Sequence, residues 1–195
     1  EEYGPVRPEE VPVKETNPTR PSNIYAVTKN TQNQLGCLYA QAYGLDILST
    51  RSFNHIGPNQ APIFVVADFC KQVAQIEKGQ CEPVLRVGNL SAKRDFTDVR
   101  DVVRAYRLLA DRGLSGETYN VGQGQAVSIE EILRRILALT EKTIQVETDP
   151  DRLRPVDVPV VEADIGKLAK VTGWRPEIAL NQTLRETLDY WRART

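Results

Sequence analysis

Helical and strand patterns alternate along this chain, and no other feature restricts the possible folds more. Apolar periodicity and end signals predict helices at about 22–43, 64–78, 99–112, 129–140, 164–172 and 181–194. The runs between them that have the composition of strands are LDILSTRSF, EPVLRVG, RDFTD, ETYNVG and TIQVET. Because helices that connect strands favour parallel pairing, we predict an α/β fold with a largely parallel sheet.

Residues that start and end helices mark most of these boundaries. Ser22 or Asn23 can cap the first helix and Asp98 the third, and Ser128 with Glu131 forms an S-x-x-E capping box before the fourth. Glycines follow the first three helices, at Gly44, Gly79 and Gly113. The stretch NHIGPNQAP at 54–62 combines glycine with prolines and predicts a turn.

One face of the third helix carries apolar residues, namely Val102, Val103, Tyr106, Leu109 and Ala110.

The composition argues against several function classes. A net charge of -1 offers no basic excess for nucleic acid, and the apolar runs are far shorter than the roughly 20 residues that span a bilayer. The three cysteines lack C-x-x-C spacing, which argues against a disulfide framework or a zinc site and favours a reducing cytoplasm. One histidine cannot build a multi-histidine metal site, and neither H-E-x-x-H nor G-x-S-x-G occurs. We therefore expect a cytoplasmic protein with no metal, no nucleic-acid partner and no membrane contact.

Tyr25 and Lys29 have the clearest potential for catalysis. They lie at i and i+4 of the first predicted helix, which places their Cβ atoms roughly 5 to 6 Å apart on one face. A free tyrosine ionises near pH 10, and a neighbouring ammonium favours the phenolate, so such a pair suits proton transfer. With seven tyrosines in the chain, however, a Y-x-x-x-K match arises by accident on the order of one time in three. Taken alone, the pair leaves a solvated helix face open as the alternative.

The segments on either side of this pair occur in the same order in a known protein family. These segments are EEYG, YAVTK, RSFNHIGPNQ, RVGNLSAKRDFTDVRDVVRAY, ETYNVG, DPDRLRPVDVP and KVTGWRPEIALNQTLRETLDYW. With them the chain resembles, over nearly its whole length, the extended short-chain dehydrogenase/reductase family that acts on nucleotide sugars. The resemblance implies the C-terminal part of a Rossmann-like doubly wound parallel sheet with an interleaved smaller α/β substrate-binding domain. It assigns 1–60 to the NAD(P)-binding domain and 61–195 mainly to nucleotide-sugar binding, with 98–122 returning to the Rossmann sheet.

Within this family the chain is most similar to the GDP-6-deoxy-4-keto-D-mannose reductases, on the segments FNHIGPNQ, RDFTDVRDVV and TGWRPEI. That similarity implies reduction of the C4 ketone of GDP-4-keto-6-deoxy-D-mannose to GDP-D-rhamnose, with NADP or NAD as the cofactor. GDP-mannose 4,6-dehydratases share FNH and GNL-x-AKRD but typically continue with Glu-Ser-Pro-Arg-Arg, where this chain has Ile56, Gly57 and Pro58. A dehydratase or another nucleotide-sugar epimerase stays the first alternative. A non-catalytic nucleotide-sugar-binding remnant is the second.

The resemblance also implies catalytic and cofactor-binding residues. Tyr25 would protonate the developing alkoxide, while Lys29 would stabilise the phenolate and orient the cofactor ribose. Glu1 stands where dehydratases carry the base that removes the sugar C5 proton. Phe53 and His55 resemble residues near the cofactor, although a packing role for the histidine is an equal alternative. The family's catalytic Ser or Thr and its G-x-x-G-x-x-G loop would both fall upstream of Glu1, so we expect this stretch to be inactive alone.

Substrate contacts are implied for a further set of residues, namely Asn54, Phe64, Val65, Arg86, Arg94, Arg154 and Asp157. A guanidinium can form two parallel charge-assisted bonds with phosphate oxygens, which suits the arginines to a diphosphate. Asp157 would either bind the nucleotide or orient Arg154. The alternatives are a structural asparagine in a turn and core positions for Phe64 and Val65.

The segment VGQGQAVSIEE resembles a dinucleotide-binding loop, because glycines follow a strand and precede a helix. Gly122 and Gly124 lack the third glycine of such a loop, since Val127 stands at the required offset. We therefore predict a plain turn into a capped helix.

The first helix also carries a candidate subunit interface. In family members the tyrosine-bearing helix packs against its copy in a partner subunit. The apolar residues that would form this seam are Leu35, Leu38, Tyr39 and Ala42, and we expect a homodimer.

Overall fold

The computed structural model describes residues 1–153 and 158–195. Its helices are α1 (Ile24–Tyr43), α2 (Val65–Glu77), α3 (Val99–Arg112), α4 (Ile129–Leu137), α5 (Gly166–Thr172) and α6 (Leu180–Arg192). Its strands are β1 (Ser49–Ser52), β2 (Asn54–Ile56), β3 (Val84–Val87), β4 (Lys93–Asp98), β5 (Thr118–Val121), β6 (Ala126–Ser128), β7 (Gln145–Thr148) and β8 (Val160–Val161). Short 3-10 turns occur at Pro8–Glu10 and Pro150–Arg152. Arg154 and Asp157, two of the expected substrate contacts, lie outside the described residues.

The helices begin and end close to where the local signals predict, and the α/β class is confirmed. Asn23 caps α1 with its side chain, which accepts the Ala26 N–H at 2.8 Å. Asp98 and Ser128 cap α3 and α4 in the same way. Gly44 ends α1 at φ 65°, in the left-handed region that favours glycine.

The strands β2, β6 and β8 lie where the sequence predicts none. Asn54–Ile56 is a strand, so the prediction of a turn over 54–62 is wrong for its first residues. Each of these strands spans two or three residues, too short for an alternating pattern to be recognised. They belong to one sheet with the order β2-β4-β6, in which β8 pairs with β4. Tertiary pairing, and not local propensity, therefore creates them.

The chain forms two compact units. Unit 1 comprises Glu1–His55, Asp95–Ala126 and Val160–Glu177. Unit 2 comprises Ile56–Arg94, Val127–Pro159 and Ile178–Thr195. The chain passes from one unit to the other inside β2, β4 and β6. The assignment of 1–60 and 98–122 to cofactor binding, and of the remainder to the nucleotide sugar, stays a prediction.

The core of unit 1 forms around the parallel strands β1 and β5, which pair from Ser49 opposite Thr118 to Ser52 opposite Val121. The buried apolar residues come from α3, β5, α5 and the segment after α5, namely Val102, Ala105, Leu109, Tyr119, Val121, Leu168 and Trp174. The indole N–H of Trp174 donates to the Asp101 carbonyl at 3.0 Å, so its one polar group is satisfied within the core.

The apolar face predicted for α3 is only half buried. Val102 and Leu109 lie in the core, whereas Val103, Tyr106 and Ala110 are exposed. The last three positions lie roughly 40 to 100° around the helix from position 102, so the apolar arc is wider than one contact surface. The expected single face is therefore divided into a buried edge and an exposed edge.

The core of unit 2 is built on α2, which packs against α4, α6 and β3. Its buried face consists of Val66, Ala67, Phe69, Cys70, Val73, Ala74 and Ile76. Strands β3 and β7 pair in parallel beside it. Arg192 at the end of α6 donates to both carboxylate oxygens of Glu77, at 2.7 and 2.6 Å, and to the Leu139 carbonyl at 2.9 Å. This guanidinium joins the ends of α2 and α6 to the chain just after α4.

Candidate functional site

In unit 1 the start of α1 presents Tyr25 and Lys29 to solvent. Tyr25 is 60% exposed, and the Lys29 Nζ atom lies 5.8 Å from the centre of its ring. Lys29 Nζ also donates to Gln32 Oε1 at 3.3 Å. The two side chains therefore lie together on an accessible face, and their catalytic role stays a prediction.

Glu1 is linked to the same helix start through Asn23. The Asn23 side chain donates to Glu1 Oε2 at 2.8 Å, while its own oxygen caps the helix. One amide thus joins the N-terminal segment to the helix that carries Tyr25. Glu1 is exposed, so its carboxylate is within reach of a ligand.

A buried polar network beneath this surface fixes the N-terminal segment. Tyr3 Oη donates to Asn120 Oδ1 at 2.6 Å and accepts from Arg51 Nη1 at 3.2 Å. Arg51 also donates to Asn33 Oδ1 at 3.0 Å and pairs with Glu2 at 3.4 Å. Because these residues come from the N-terminal segment, α1, β1 and β5, the network ties all four together.

Tyr3 and Tyr25 therefore occupy opposite environments. Burial raises the pKa of the Tyr3 phenol above its usual value, and the hydrogen bond from Arg51 offsets this only in part. Tyr3 consequently acts as a protonated donor at neutral pH. Sequence reasoning assigned no role to Tyr3, Arg51 or Asn120, because the two partners of Tyr3 lie 48 and 117 residues away. No local signal could have identified them.

Phe53, Asn54 and His55 follow the carboxyl end of β1, the end at which parallel α/β sheets bind ligands. The Phe53 N–H donates to the Val121 carbonyl at 2.8 Å and so continues the β1–β5 pairing. The Phe53 ring lies 6.2 Å from the Tyr3 ring, measured between centroids. Asn54 and His55 are exposed in β2, not in a turn.

The glycine-containing turn after β5 is filled by the buried side chain of Asp95. The Asp95 carboxylate accepts the N–H groups of Gln123, Gly124 and Ala163 at 2.5, 2.9 and 3.1 Å. A Cβ at Gly122 would lie 2.7 Å from the Ala163 Cβ, so this glycine is required for packing. Burial raises the pKa of the Asp95 carboxyl above its usual value despite the three N–H donors. The N–H groups of Gln123 and Gly124 thus bind an internal carboxylate, and the turn is structural.

In unit 2 the expected substrate residues lie near the start of α2 and on β3 and β4. Phe64 precedes α2 and is 51% exposed, and Val65 is half-buried. Arg94 donates to the carbonyls of Lys93 and Val158 at 2.8 and 2.6 Å. These bonds hold β4 against the backbone at position 158.

Arg86 lines a cavity in unit 2 of about 490 Å³, formed by α2, the chain before β3, β3 itself and the turn Pro150–Arg152. This volume is within the roughly 300 to 1,000 Å³ typical of small-molecule sites. Asp68 and Arg152, which sequence reasoning missed, form an ion pair here with 2.5 Å between Oδ2 and Nη1. They lie 84 residues apart in the sequence, so only the folded chain brings them to Arg86.

Within residues 1–153 and 158–195, no group of three or more His, Cys, Asp or Glu side chains could hold a metal ion. Over the same residues, no helix has both the length and the apolar character needed to cross a membrane. Cys37, Cys70 and Cys81 carry free thiols.

Comparisons with known sequences point to one family. The family model described as GDP-mannose 4,6 dehydratase matches residues 1–187. A GDP-6-deoxy-D-mannose reductase of Pseudomonas aeruginosa is 35% identical over 192 residues, which cover 98% of this chain and 63% of that protein. A GDP-mannose 4,6 dehydratase of Cricetulus griseus is 28% identical over 203 residues, which cover 94% of this chain and 54% of that protein.

A solved structure shows the same fold over the full length of this chain. The structure of RMD from Pseudomonas aeruginosa complexed with NADPH matches with a TM-score of 0.95 at 34% sequence identity. The match covers 100% of this chain and 64% of that one. The chain therefore spans less than two thirds of the length of these relatives.

Proposed function

Because this chain belongs to the GDP-mannose 4,6-dehydratase family, we propose that the protein reduces the C4 ketone of GDP-4-keto-6-deoxy-D-mannose to GDP-D-rhamnose. The observation that carries the proposal is the exposed pair of Tyr25 and Lys29 at the start of α1. Reduction of a ketone needs a proton donor that substrate can reach, and a phenol beside an ammonium meets that need. Identity of 35% to a reductase against 28% to a dehydratase favours reduction.

We propose NADP or NAD as the redox cofactor, and the residues present fit its nicotinamide end. Lys29 offers ammonium donors and Tyr25 a hydroxyl on one open face, and both groups can hydrogen-bond ribose hydroxyls. Phe53 and His55 stand at the carboxyl end of β1, where ligands of such sheets bind. When bound, the reduced cofactor supplies the hydride that C4 receives.

Tyr25 and Lys29 share the proton-transfer step. As negative charge develops on the C4 oxygen, Tyr25 donates its Oη proton to that oxygen. The Lys29 ammonium, 5.8 Å from the ring centre, stabilises the charge left on the phenol oxygen. Because Tyr25 is exposed, water can return the proton after each turnover. The buried bonds of Arg51 to Tyr3 and Asn33 keep the surrounding backbone in place.

We assign the GDP-sugar contacts to the residues that the family resemblance names. Asn54 would contact the sugar or its phosphates, and exposed Phe64 with Val65 would line the pocket. Three arginines would bind the diphosphate, namely Arg86, Arg94 and Arg154. Asp157 would either hydrogen-bond the nucleotide or orient Arg154. The cavity at Arg86 supports a ligand site in this region.

We also propose a cytoplasmic homodimer that forms through α1. Leu35, Leu38, Tyr39 and Ala42 are all exposed, whereas Ala26 and Asn33 are the buried residues of this fully described helix. An exposed apolar helix face is typical of a subunit interface, and a two-fold axis would pair α1 with its copy. The free thiols favour a reducing compartment.

A 4,6-dehydratase is the second candidate, because Asn23 holds the Glu1 carboxylate at the start of the helix that carries Tyr25. In that reaction the carboxylate would remove the sugar C5 proton. Product analysis of the full-length gene product separates the two activities. A reductase converts GDP-4-keto-6-deoxy-D-mannose with NADPH and leaves GDP-mannose unchanged with NADP. A 4-keto product formed from GDP-mannose without added reductant would defeat the reductase proposal, and binding without turnover of either sugar would indicate a non-catalytic protein.

A further inference from the structure

Asn23 connects the N-terminal segment with the helix that carries the proposed proton donor. It lies directly before α1 and two residues before Tyr25, and its side chain reaches Glu1. All three residues belong to unit 1. The contacts of this one amide therefore determine where the Glu1 carboxylate lies relative to the start of α1.

Two hydrogen bonds leave the Asn23 amide a single orientation. Its Oδ1 accepts the Ala26 N–H at 2.8 Å, which caps α1, and its Nδ2 donates to Glu1 Oε2 at 2.8 Å. If the amide were turned over, its N–H₂ group would face the Ala26 N–H and its oxygen would face the Glu1 carboxylate. Both contacts would then be repulsive. The helix cap thus directs the N–H₂ donor of Asn23 toward Glu1.

The backbone of Glu1 is held by other contacts. The Glu1 carbonyl accepts the Gly4 N–H at 3.0 Å, and the Glu2 carbonyl accepts the Arg20 N–H at 3.1 Å. A Cβ at Gly4, where φ is 60°, would lie 1.7 Å from the Arg20 carbonyl oxygen, so this turn requires glycine. A fixed backbone leaves only the side-chain torsions of Glu1 free, and the hydrogen bond to its Oε2 restrains them.

The Glu1 carboxylate, although held, keeps one oxygen available as an acceptor. In the part of the chain that the structure describes, no hydrogen bond reaches Glu1 Oε1, and Glu1 is exposed. An ionised carboxylate only accepts hydrogen bonds, so Oε1 suits a hydroxyl donor. The C3 hydroxyl of the hexose neighbours the C4 ketone that the proposed reaction reduces. An acceptor fixed at the start of α1 can therefore orient the sugar ring for proton transfer from Tyr25.

We propose that Asn23 is a positioning residue for the reaction and that it acts through Glu1. Asn23 holds Glu1 Oε2, so that Oε1 accepts the hydroxyl next to C4 and the ketone oxygen meets the Tyr25 phenol. The same amide thus has two tasks, as a helix cap through its oxygen and as a positioning donor through its nitrogen. The inference rests on the proposed function, since it names the residue that orients the carboxylate facing the sugar.

Asn23→Asp separates the two tasks. Aspartate caps helices as well as asparagine does, so the variant keeps an acceptor for the Ala26 N–H, but its second oxygen repels the Glu1 carboxylate. In full-length protein, kcat/KM for the reduction of GDP-4-keto-6-deoxy-D-mannose by NADPH should fall about tenfold to a hundredfold. The urea midpoint of unfolding should stay the same. If Asn23 acted only as a cap, kcat/KM would stay the same as well.

Glu1→Gln combined with Asn23→Asp restores the contact with its polarity reversed. The glutamine N–H₂ group donates to the aspartate, and the glutamine oxygen accepts the sugar hydroxyl. The kcat/KM of the double variant should therefore exceed that of Asn23→Asp alone at least about fivefold. Ser22→Asp is the matched control, because it adds the same charge at the neighbouring exposed position and should keep full activity.

An unchanged kcat/KM in Asn23→Asp, an equal fall in Ser22→Asp or no recovery in the double variant overturns the positioning role. The proposed function survives each of these results as long as the unaltered protein reduces the ketone. If it does not, the proposed function fails, and the same variants are compared for 4-keto product formed from GDP-mannose. There Glu1 would remove a proton, so Asn23→Asp should lower the rate and the double variant should stay inactive. An unchanged rate in Asn23→Asp, or the absence of both activities in the unaltered protein, overturns the positioning role there too.

Discussion

At the scale of single residues, burial assigns different tasks to chemically identical side chains. Tyr3 is buried and exchanges hydrogen bonds with Asn120 and Arg51, so its phenol serves as a structural donor. Tyr25 is exposed beside Lys29, so its phenol is accessible from solvent. Burial also gives an acid a structural task, because the Asp95 carboxylate accepts the N–H groups of Gln123 and Gly124 and so holds the turn after β5.

Tyr3→Phe should lower the free energy of unfolding at pH 7 by about 1 to 3 kcal/mol, because the buried Asn120 Oδ1 loses its phenol donor. Burial raises the pKa of Tyr3 above its usual 10.0, so the phenol contributes stability that is fully present below that pH. This contribution is lost as pH rises through the raised pKa. The difference between the two proteins should therefore shrink above about pH 10.

Urea unfolding of both proteins at pH 7 and at rising alkaline pH measures this difference. Tyr43→Phe is the matched control, since Tyr43 is 70% exposed and should tolerate the change. Equal stability of Tyr3→Phe and the unaltered protein at pH 7 would refute the structural role.

At the scale of elements, the sequence could predict a helix or strand only where the residues that specify it lie close together along the chain. The caps of α1, α3 and α4 act within three residues, so Asn23, Asp98 and Ser128 marked these helices correctly. The short strands β2, β6 and β8 exist only through pairing in the folded sheet, and they were missed.

The same distinction applies to the candidate site. Tyr25 and Lys29 lie one helical turn apart, so their proximity followed from the sequence. Asp68 and Arg152 are 84 residues apart, and their pairing depends on the packing of α2 and the turn Pro150–Arg152 within unit 2. Spacing along the chain carries no information about such a contact.

The stability that the junction of α2 and α6 contributes should depend on pH, because it involves the Glu77 carboxylate. Hydrogen bonds from Arg192 hold the pKa of the Glu77 carboxyl below its usual 4.5, so this pair contributes stability above that pH. The contribution is lost as pH falls through the lowered pKa. Glu77→Gln should therefore lower the free energy of unfolding by about 1 kcal/mol at neutral pH. The difference between the variant and the unaltered protein should shrink in acid. Urea unfolding at pH 7 and pH 3 measures it, with exposed Glu141→Gln as the control. A loss that is independent of pH would contradict the ion-pair account.

The exposed apolar face of α1 should control association. Leu38→Glu places a charge on this face, and burying an unpaired charge is costly. The full-length protein should therefore shift from dimer toward monomer in sedimentation equilibrium. Gln41→Glu adds the same charge at an exposed position outside the apolar face and should leave the dimer intact. A Leu38→Glu protein that remains fully dimeric would show that α1 is not the interface.

At the scale of the whole molecule, each unit holds residues suited to one part of the proposed reaction. Unit 1 holds Tyr25, Lys29 and Glu1 near one helix start, over a buried network that restrains the backbone. Unit 2 holds a cavity lined by acidic and basic side chains, among them Asp68, Arg86 and Arg152. The proposed reaction requires both, a proton donor for the ketone and a site that recognises the nucleotide of the sugar substrate.

The most direct test of this account is the steady-state rate of C4 reduction in full-length protein carrying Tyr25→Phe, measured as GDP-D-rhamnose formed from GDP-4-keto-6-deoxy-D-mannose and NADPH. Loss of the proton donor should lower kcat by about a hundredfold to ten-thousandfold while leaving GDP affinity unchanged. Tyr43→Phe, on the same helix, should retain full activity. A Tyr25→Phe enzyme with the kcat of the unaltered protein would contradict the assignment of Tyr25 as the proton donor.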